Sequence, residues 1–240
     1  GKTSGATDAP YVALELIEFA ARGGDLEEGR RKEQQALAEL LPANQAQASV
    51  YAFDLVQNRV RKQPWKPDAE PRKIRQAAVI GAGLMGSQLG ALHLLRLEVP
   101  LVMKDIDDEV LGRCREHIEN ELDQRVQKGR LKEGKARFLK GLVTYTTSYE
   151  DVAGSDWVIE AVLERMDLKQ DIFAELEKVV DDEAVLASNT SSLSIREMAS
   201  GLQHPERVVG FHFFNPVNLL PLVEVIRSCS CPISFDSVGW

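Results

Sequence analysis

The chain has 240 residues, of which 44% are hydrophobic, and it carries a formal net charge of -8. This length can bury one full core and a smaller appendage, and the acidic balance argues against nucleic acid as the main partner, because phosphate binding requires a basic face. With no run of about 18 apolar residues and no cleavable leader, we expect a cytoplasmic protein without a membrane span. Cys114, Cys229 and Cys231 provide neither a disulfide framework nor the ligand pairs of a zinc site, so no metal is expected.

The first 60 residues predict helices that accompany a larger domain. Residues 1–10 are small and polar and lack an initiating methionine, so we expect a disordered segment or an artificial extension. From 11 to 60 the apolar positions recur at helical spacing, as in Val50, Phe53 and Val56. Two or three amphipathic helices are therefore predicted, whose apolar faces would pack against a neighbouring domain.

A proline-rich segment at 61–75 marks the clearest boundary in the chain. Pro64, Pro67 and Pro71 lie there among basic residues. Because proline fixes φ and removes a hydrogen-bond donor, the segment is predicted to be a semi-rigid linker. The main domain is expected to span 76–227, followed by an atypical tail at 228–240.

The main domain alternates short apolar runs with longer amphipathic stretches. Strands are predicted at 77–80, 100–103, 142–146, 157–162, 184–188 and 207–211, and helices at 84–97, 108–127 and 167–180. Such alternation is typical of an open, mostly parallel sheet with helices on both faces. The predicted fold class is therefore α/β, a Rossmann-type doubly wound sheet with an N-terminal helical extension.

A glycine-rich loop, Gly81-Ala82-Gly83-Leu84-Met85-Gly86, follows the first predicted strand and opens a helix. In a dinucleotide loop the first glycine permits a tight turn, the second lets the backbone approach the pyrophosphate, and the third allows close helix packing. The alternative is a purely structural turn. The dinucleotide interpretation predicts cofactor contacts at Gly81, Gly83, Leu84, Met85 and Gly86.

Asp105 follows the second strand of the same unit and supports that interpretation. A carboxylate at this place can accept hydrogen bonds from the adenosine ribose hydroxyls. It would also repel a 2′-phosphate, which favours NAD over NADP, although the neighbouring Lys104 acts in the opposite sense. NAD is therefore the expected cofactor.

Three polar residues lie in later motifs. Ser191 lies in Ala-Ser-Asn-Thr-Ser-Ser-Leu at 187–193, His212 in Gly-Phe-His-Phe-Phe-Asn-Pro at 210–216, and Glu224 in Leu-Val-Glu-Val-Ile at 222–226. Histidine is a natural base for a hydroxyl proton because its ordinary pKa lies near neutrality, and a glutamate can fix its tautomer. Taken singly, a core histidine or a helix-capping serine explains each residue as well.

In this order and spacing the motifs resemble the NAD-binding domain of the L-3-hydroxyacyl-CoA dehydrogenases over about residues 74–227. The resemblance implies catalytic roles for Ser191, His212 and Glu224, with His212 as the base and Glu224 as its partner. It also implies cofactor contacts by four residues, Glu164, Lys169, Ser191 and Asn215. A helix-start carboxylate and a solvated lysine are the alternatives for Glu164 and Lys169.

The activity implied is NAD-dependent oxidation of L-3-hydroxyacyl-CoA to 3-ketoacyl-CoA in fatty-acid β-oxidation. Residues 27–62 resemble the connector after the enoyl-CoA hydratase part of multifunctional β-oxidation proteins, which implies a fragment of such a protein. For the full-length protein the resemblance implies a homodimer or a thiolase-containing complex. The helical domain that completes the acyl-CoA site in the family is not among these 240 residues, so we expect cofactor binding with weak or no turnover.

Two other functions and one basic stretch stay open at this point. Another β-hydroxyacid dehydrogenase would commonly use a lysine as its catalytic centre, and a scaffold module would bind NAD without catalysis.

Between Arg125 and Lys140, seven basic residues stand against the single acid Glu133. A solvated helix end explains this stretch, and a docking surface for the phosphates of coenzyme A is the alternative.

Overall fold

The computed structural model describes residues 7–60, 72–220 and 222–227, and it divides the chain into two compact units, Gly1–Pro67 and Asp68–Trp240. The first part of the predicted N-terminal segment, the linker residues 61–71 and the tail 228–240 lie outside the described residues. Residues 72–75 belong to the second unit. Arg75 forms an ion pair with Asp156 at 2.7 Å, and Arg72 forms one with Glu183 at 2.9 Å.

The first unit consists of helices, as predicted. They are α1 (Ala9–Ala21), α2 (Leu26–Leu40), α3 (Asn44–Asp54) and a π-helical segment (Leu55–Val60). Asp25 caps α2, because its carboxylate accepts the Glu28 N–H at 3.0 Å. Helix α1 begins at Ala9, so the expectation of disorder through residue 10 is wrong at its end. None of the three α-helices buries a residue.

The second unit is built on a seven-stranded sheet. Its strands are β1 (Ala77–Ile80), β2 (Leu101–Lys104), β3 (Val143–Thr146), β4 (Trp157–Glu160), β5 (Val185–Ser188), β6 (Val208–Phe213) and β7 (Val223–Arg227). Their order is β3-β2-β1-β4-β5-β6-β7. All neighbours are parallel except β6 and β7, which are antiparallel. The strand order reverses beside β1, and ligands of such sheets bind at the carboxyl end of the strands at that point.

Helices cover both faces of this sheet, which confirms the predicted Rossmann-type fold class. They are α4 (Leu84–Leu97), α5 (Asp108–Gln127), α6 (Glu133–Lys140), α7 (Met166–Val179) and the short α8 (Ile195–Met198). Successive residues of β1 alternate between two apolar clusters. Val79 packs with Leu89 of α4 and Ile118 of α5, whereas Ile80 packs with Phe173 of α7. Because the side chains of a strand alternate between the two faces of the sheet, β1 packs against helices on both faces.

Three elements of the second unit, namely β7, α6 and the short α8, were not predicted from the sequence. Strand β7 returns antiparallel along the sheet edge, and its residues are at most half-buried. Helix α6 lies within the basic stretch and buries only Ala136 and Leu139. Strand β6 is also longer than predicted, so His212 lies within the strand and not after it.

The basic stretch is largely neutralised by acidic neighbours. Four of its cations are ion-paired, with the pairs Arg125–Glu121 at 2.9 Å, Lys140–Asp123 at 2.8 Å, Arg137–Glu133 at 3.3 Å, and Lys135–Glu98. This arrangement supports the interpretation as a solvated, ion-paired helix surface.

The helices of the described ranges are all too short or too polar to cross a membrane. Within the same ranges, no group of three or more His, Cys, Asp and Glu side chains is arranged to hold a metal ion. Cys114 is buried, whereas Cys229 and Cys231 lie outside the described residues.

His93 provides a polar contact inside the core. It is 1% exposed, with Nδ1 2.8 Å from the Leu89 carbonyl oxygen and Nε2 2.9 Å from Nε1 of Trp157. Because the indole N–H can only donate, Nε2 accepts this bond and Nδ1–H donates to Leu89. The neutral ring is therefore satisfied at both nitrogens. Burial lowers the pKa of His93 from 6.5 to about 4, although the bond to Leu89 acts in the opposite direction.

We expect acidification to destabilise the second unit through His93. Since the pKa of His93 is lower in the folded than in the unfolded chain, the unfolded chain binds the proton first. The contribution to the free energy of unfolding is full above pH 6.5 and is lost as the pH falls toward about 4; it amounts to about 3 kcal/mol. Urea unfolding of the wild type and His93→Gln across this range measures it.

The difference between the two pH profiles isolates His93 from the carboxylates that also titrate. His204→Gln is the matched control, because the His204 side chain is 47% exposed. Its profile should follow that of the wild type closely. Parallel profiles for the wild type and His93→Gln would show that protonation of His93 does not limit stability.

Candidate active site

The loop between β1 and α4 has the geometry of a dinucleotide cradle. Gly81 has φ +95°, and a Cβ added there would lie 2.8 Å from the carbonyl oxygen of Ala161. A Cβ added at Gly86 would lie 1.7 Å from the carbonyl oxygen of Gly81, whereas one added at Gly83 would meet no heavy atom within 4 Å. The first and third glycines are therefore required by the fold. The second leaves open space at the positive end of α4, where a diphosphate fits.

A cleft of about 520 Å³ opens beside this loop, and Asp105 lies on its wall. The Asp105 carboxylate accepts the Ala82 N–H through Oδ2 at 2.6 Å and the Ile106 N–H through Oδ1 at 2.7 Å. Backbone groups of the glycine loop and of its own loop thus orient this carboxylate. Its position at the carboxyl end of β2 is the one expected for a ribose-binding acid.

Lys104 lies on the same wall but is almost fully buried. Its Nζ lies 3.8 Å from the centroid of the Tyr149 ring, a cation–π contact. Burial lowers the pKa of Lys104, while the nearby Asp105 carboxylate acts in the opposite direction. The ammonium group is therefore engaged by an aromatic ring beside the position of Asp105.

Glu164 and Lys169 meet in a buried ionic network. Lys169 is 1% exposed, and its Nζ lies 2.6 Å from Oε1 of Glu160 and 3.3 Å from Oε2 of Glu164. Burial tends to raise the pKa of Glu164. Hydrogen bonds from the Thr190 hydroxyl and the Ser191 N–H, with the charge of Lys169, outweigh burial and hold this pKa below its ordinary value. Glu164 thus stays ionised beside the loop that carries Ser191.

His212 and Glu224 form a direct pair across the last two strands. They occupy opposite positions in the β6–β7 register, and Nδ1 of His212 lies 2.8 Å from Oε2 of Glu224. The His212 side chain is 17% exposed and that of Glu224 is 53% exposed. Because a carboxylate only accepts, Nδ1 carries the proton, and in the neutral ring Nε2 therefore has the lone pair. The pair can therefore present an oriented neutral imidazole as a base.

The loop that carries Ser191 is tied to β6 close to His212. Oδ1 of Asn189 accepts the Phe213 N–H at 2.9 Å. Ser191, which follows β5, is exposed. This bond fixes the two motifs relative to each other although they come from different strands.

The loop after β6 is tied to the cofactor helix by Gln88. Nε2 of Gln88 donates to Oδ1 of Asn215 at 3.2 Å, and Oε1 accepts the Val217 N–H at 2.9 Å. The bond between Asn215 and Pro216 is cis. Asn215 thus lies against α4, the helix that begins at the glycine loop.

The predicted site residues lie on the loops that follow β1, β2, β4, β5 and β6, on the first turns of α4 and α7, or on β6 and β7. The role of each stays a prediction. Sequence reasoning missed three residues that hold them in place, Glu160, Asn189 and Gln88. Glu160 could have been found as a carboxylate that ends an otherwise apolar strand. Asn189 lies inside a recognised motif, whereas Gln88 carries no signal in the sequence.

Comparison with known proteins agrees with this geometry. The family model described as "3-hydroxyacyl-CoA dehydrogenase, NAD binding domain" matches residues 76–232. The protein named fatty acid oxidation complex subunit alpha from Pseudomonas putida is 38% identical over 219 residues, which cover 91% of this chain and 30% of that protein. The chain therefore spans less than a third of the length of the curated relatives that it matches.

Solved structures show the same similarity. FadB2 of M. tuberculosis is 39% identical, with a TM-score of 0.64 over 68% of this chain and 57% of that chain. The 3-hydroxybutyryl-CoA dehydrogenase of Escherichia coli K12 is 33% identical, with a TM-score of 0.65 over 70% of this chain and 35% of that chain. The resemblance inferred from the motifs is confirmed, and the chain belongs to the family of NAD-binding domains of the 3-hydroxyacyl-CoA dehydrogenases.

Proposed function

We propose that this chain is the NAD-binding and proton-transferring part of an enzyme that oxidises L-3-hydroxyacyl-CoA to 3-ketoacyl-CoA in fatty-acid β-oxidation. The observation that carries the proposal is the pair of His212 and Glu224, joined at 2.8 Å. The pair lies at the carboxyl end of the parallel strands, where the glycine loop also lies. The name of the Pseudomonas putida relative supports the placement in fatty-acid oxidation.

The residues divide the reaction between them. The glycine loop and Asp105 would hold NAD, which would supply the hydride acceptor for the substrate carbon. Nε2 of His212 takes the hydroxyl proton, and the Glu224 carboxylate stabilises the imidazolium that results. The Ser191 hydroxyl would donate a hydrogen bond to the substrate oxygen, and Asn215 would contact the cofactor and the substrate.

The groups around the adenosine end favour NAD over NADP. The Asp105 carboxylate, oriented by two backbone N–H groups, would accept hydrogen bonds from the ribose hydroxyls and repel a 2′-phosphate. Lys104, which could have attracted that phosphate, is buried and engaged by Tyr149.

We expect the chain to bind NADH more tightly than NADPH, and Asp105→Ala to weaken NADH binding by about ten- to a hundredfold, since hydrogen bonds to a charged group contribute about 1.5–3 kcal/mol. Calorimetric titration of the chain measures both affinities. Asp108→Ala is the matched control, because it removes an exposed carboxylate from the first turn of α5 with the same change in net charge. Equal losses in the two variants would point to a general effect of charge and contradict the ribose assignment.

Turnover separates an enzyme from a binding module. We expect slow or no reduction of acetoacetyl-CoA by this chain with NADH, and a clear gain when the helical domain of the family is joined to it. NADH binding without turnover, even in the extended protein, would favour a scaffold module. A lysine-centred β-hydroxyacid dehydrogenase is disfavoured because Lys169 is held between two carboxylates.

The assembly and the location stay predictions from the sequence. A homodimer or a thiolase-containing complex is proposed for the full-length protein, and a cytoplasmic location is proposed for it as well. Sedimentation of the purified full-length protein with and without a thiolase would test the assembly.

A further inference from the structure

Glu160 is a charged side chain for which the proposed reaction has no use. It ends β4 in the centre of the sheet and is 0% exposed. Oε1 accepts the Val162 N–H and the Lys169 ammonium, both at 2.6 Å, and Oε2 accepts the Ser188 hydroxyl at 2.7 Å. Burying a carboxylate is costly, and even a paired one is weak evidence for stability. This arrangement therefore calls for a role beyond holding the core together.

Both partners of Glu160 lead to the same second carboxylate. The Lys169 ammonium also contacts Oε2 of Glu164 at 3.3 Å. The Ser188 hydroxyl accepts the Thr190 N–H at 3.2 Å, and the Thr190 hydroxyl in turn donates to Glu164. Two routes thus run from the fully buried Glu160 to Glu164, which is partly exposed.

The network lies on one side of the cofactor loop. Asp105, at the end of β2, marks the adenosine side of β1. Strands β4 and β5, which carry Glu160 and Ser188, lie on the opposite side of β1. A dinucleotide whose pyrophosphate lies at the glycine loop must extend its nicotinamide ribose in this direction.

We infer that Glu160 is a positioning residue for the nicotinamide half of the cofactor, acting through Lys169 and Ser188 on Glu164 and the loop of Ser191. The inference rests on the proposed function. Glu160 fixes the direction of the Lys169 ammonium and, through it, the carboxylate of Glu164. Without Glu160, the partly exposed Glu164 is the one remaining ion-pair partner of the ammonium among the described residues, and the ammonium loses its defined position.

The decisive variant is Glu160→Gln, which keeps the shape of the side chain and removes its charge. We expect the Kd for NADH to rise by about tenfold or more, because small misplacements of binding groups are costly. The Kd for ADP, which lacks the nicotinamide ribose, should stay unchanged. A purely structural role would weaken both ligands together.

Two further variants test the route and guard against misfolding. In a Lys169→Met background, the additional effect of Glu160→Gln on NADH binding should be smaller than in the wild type, because one of its two routes is already removed and coupled residues are not additive. Ser188→Ala removes the second contact without burying a charge, and it should weaken NADH binding several-fold with ADP binding unchanged. It decides the question if Glu160→Gln does not fold.

Glu177→Gln is the matched control, because Glu177 lies on α7, the helix that carries Lys169. Its carboxylate accepts the N–H groups of Gln203 and His204 at the other end of α7. It should leave the affinities for NADH and ADP unchanged. If the wild type binds NADH and Glu160→Gln binds it equally well, or loses ADP to the same extent, the inference is wrong while the proposed function stands. No NADH binding by the wild type would contradict both.

Discussion

Replacing His212 with alanine is expected to lower turnover of 3-hydroxyacyl-CoA by about 10²–10⁴-fold, the usual contribution of a positioned base, and to leave the Kd for NADH nearly unchanged. The imidazole is held at Nδ1 by Glu224. Its removal takes away the proton acceptor but leaves the glycine loop, which would bind NADH, unchanged. Steady-state kinetics and NADH titration, in this chain joined to the helical domain of the family, measure the two quantities separately.

Glu224→Gln and His204→Ala complete this experiment. A glutamine at 224 can still accept the Nδ1–H bond but cannot stabilise an imidazolium by charge, so we expect kcat to fall, but by less than in His212→Ala. His204 lies in an exposed turn and pairs with Glu206, so its replacement should have no effect on kcat. Unchanged turnover in His212→Ala would remove the base from the proposed mechanism.

The pair of His212 and Glu224 also shows what the sequence could and could not predict. Each residue was found by its motif, but the contact depends on β7 returning antiparallel beside β6. Strand β7 lies at the sheet edge, and the segment Val223 to Ile226 is too short for its pattern to separate a strand from a loop or a short helix. Local patterns therefore identified the residues, and only the sheet topology brought them together.

The parallel part of the sheet was predicted more fully. Strands such as β1 and β4 are covered on both faces and read as continuous apolar runs, and helices α4 and α5 have the bounds that the amphipathic pattern predicts. The pattern did not identify α6, because its charged residues leave only two buried positions. The prediction thus succeeded where burial dictates residue type and failed where the element lies at the surface.

The supporting polar residues were missed for a related reason. Glu160, Asn189 and Gln88 act through hydrogen bonds to residues that are 9 to 129 positions away. A local sequence pattern does not predict such bonds. For Glu160 the pattern is even misleading, because strands of this kind are predicted from buried apolar residues, not from a buried carboxylate. Such residues become visible only when the partners are known.

The glycine loop supplies the second large effect, because two of its glycines are expected to respond in opposite ways. In Gly86→Ala the new Cβ would lie 1.7 Å from the Gly81 carbonyl oxygen, a backbone atom that cannot move aside without displacing α4. We expect the free energy of unfolding to fall by about 3 kcal/mol, the scale of severe overpacking, together with loss of NADH binding. Urea unfolding and NADH titration measure the two effects.

Gly83→Ala is the matched variant within the same loop. Gly83 has φ -68° and ψ -164°, a conformation open to alanine, and its Cβ would meet no heavy atom within 4 Å. Stability should stay within about 1 kcal/mol of the wild type, because the change acts mainly on the unfolded chain. NADH binding should nevertheless weaken by about tenfold or more, since the added methyl group occupies the space through which the pyrophosphate approaches the backbone.

The two variants together separate folding from cofactor binding at neighbouring positions. Gly83→Ala with normal stability and normal NADH affinity would show that the open space beside α4 is not the pyrophosphate site. Gly86→Ala with normal stability would show that α4 can shift to relieve the contact with Gly81. The close packing of α4 and the loop would then not require a glycine at position 86. Weakened NADH binding in a fully stable Gly83→Ala protein would place the diphosphate at the N-terminus of α4. The reason is that the added methyl group contacts nothing in the folded chain and so would act only on the bound cofactor.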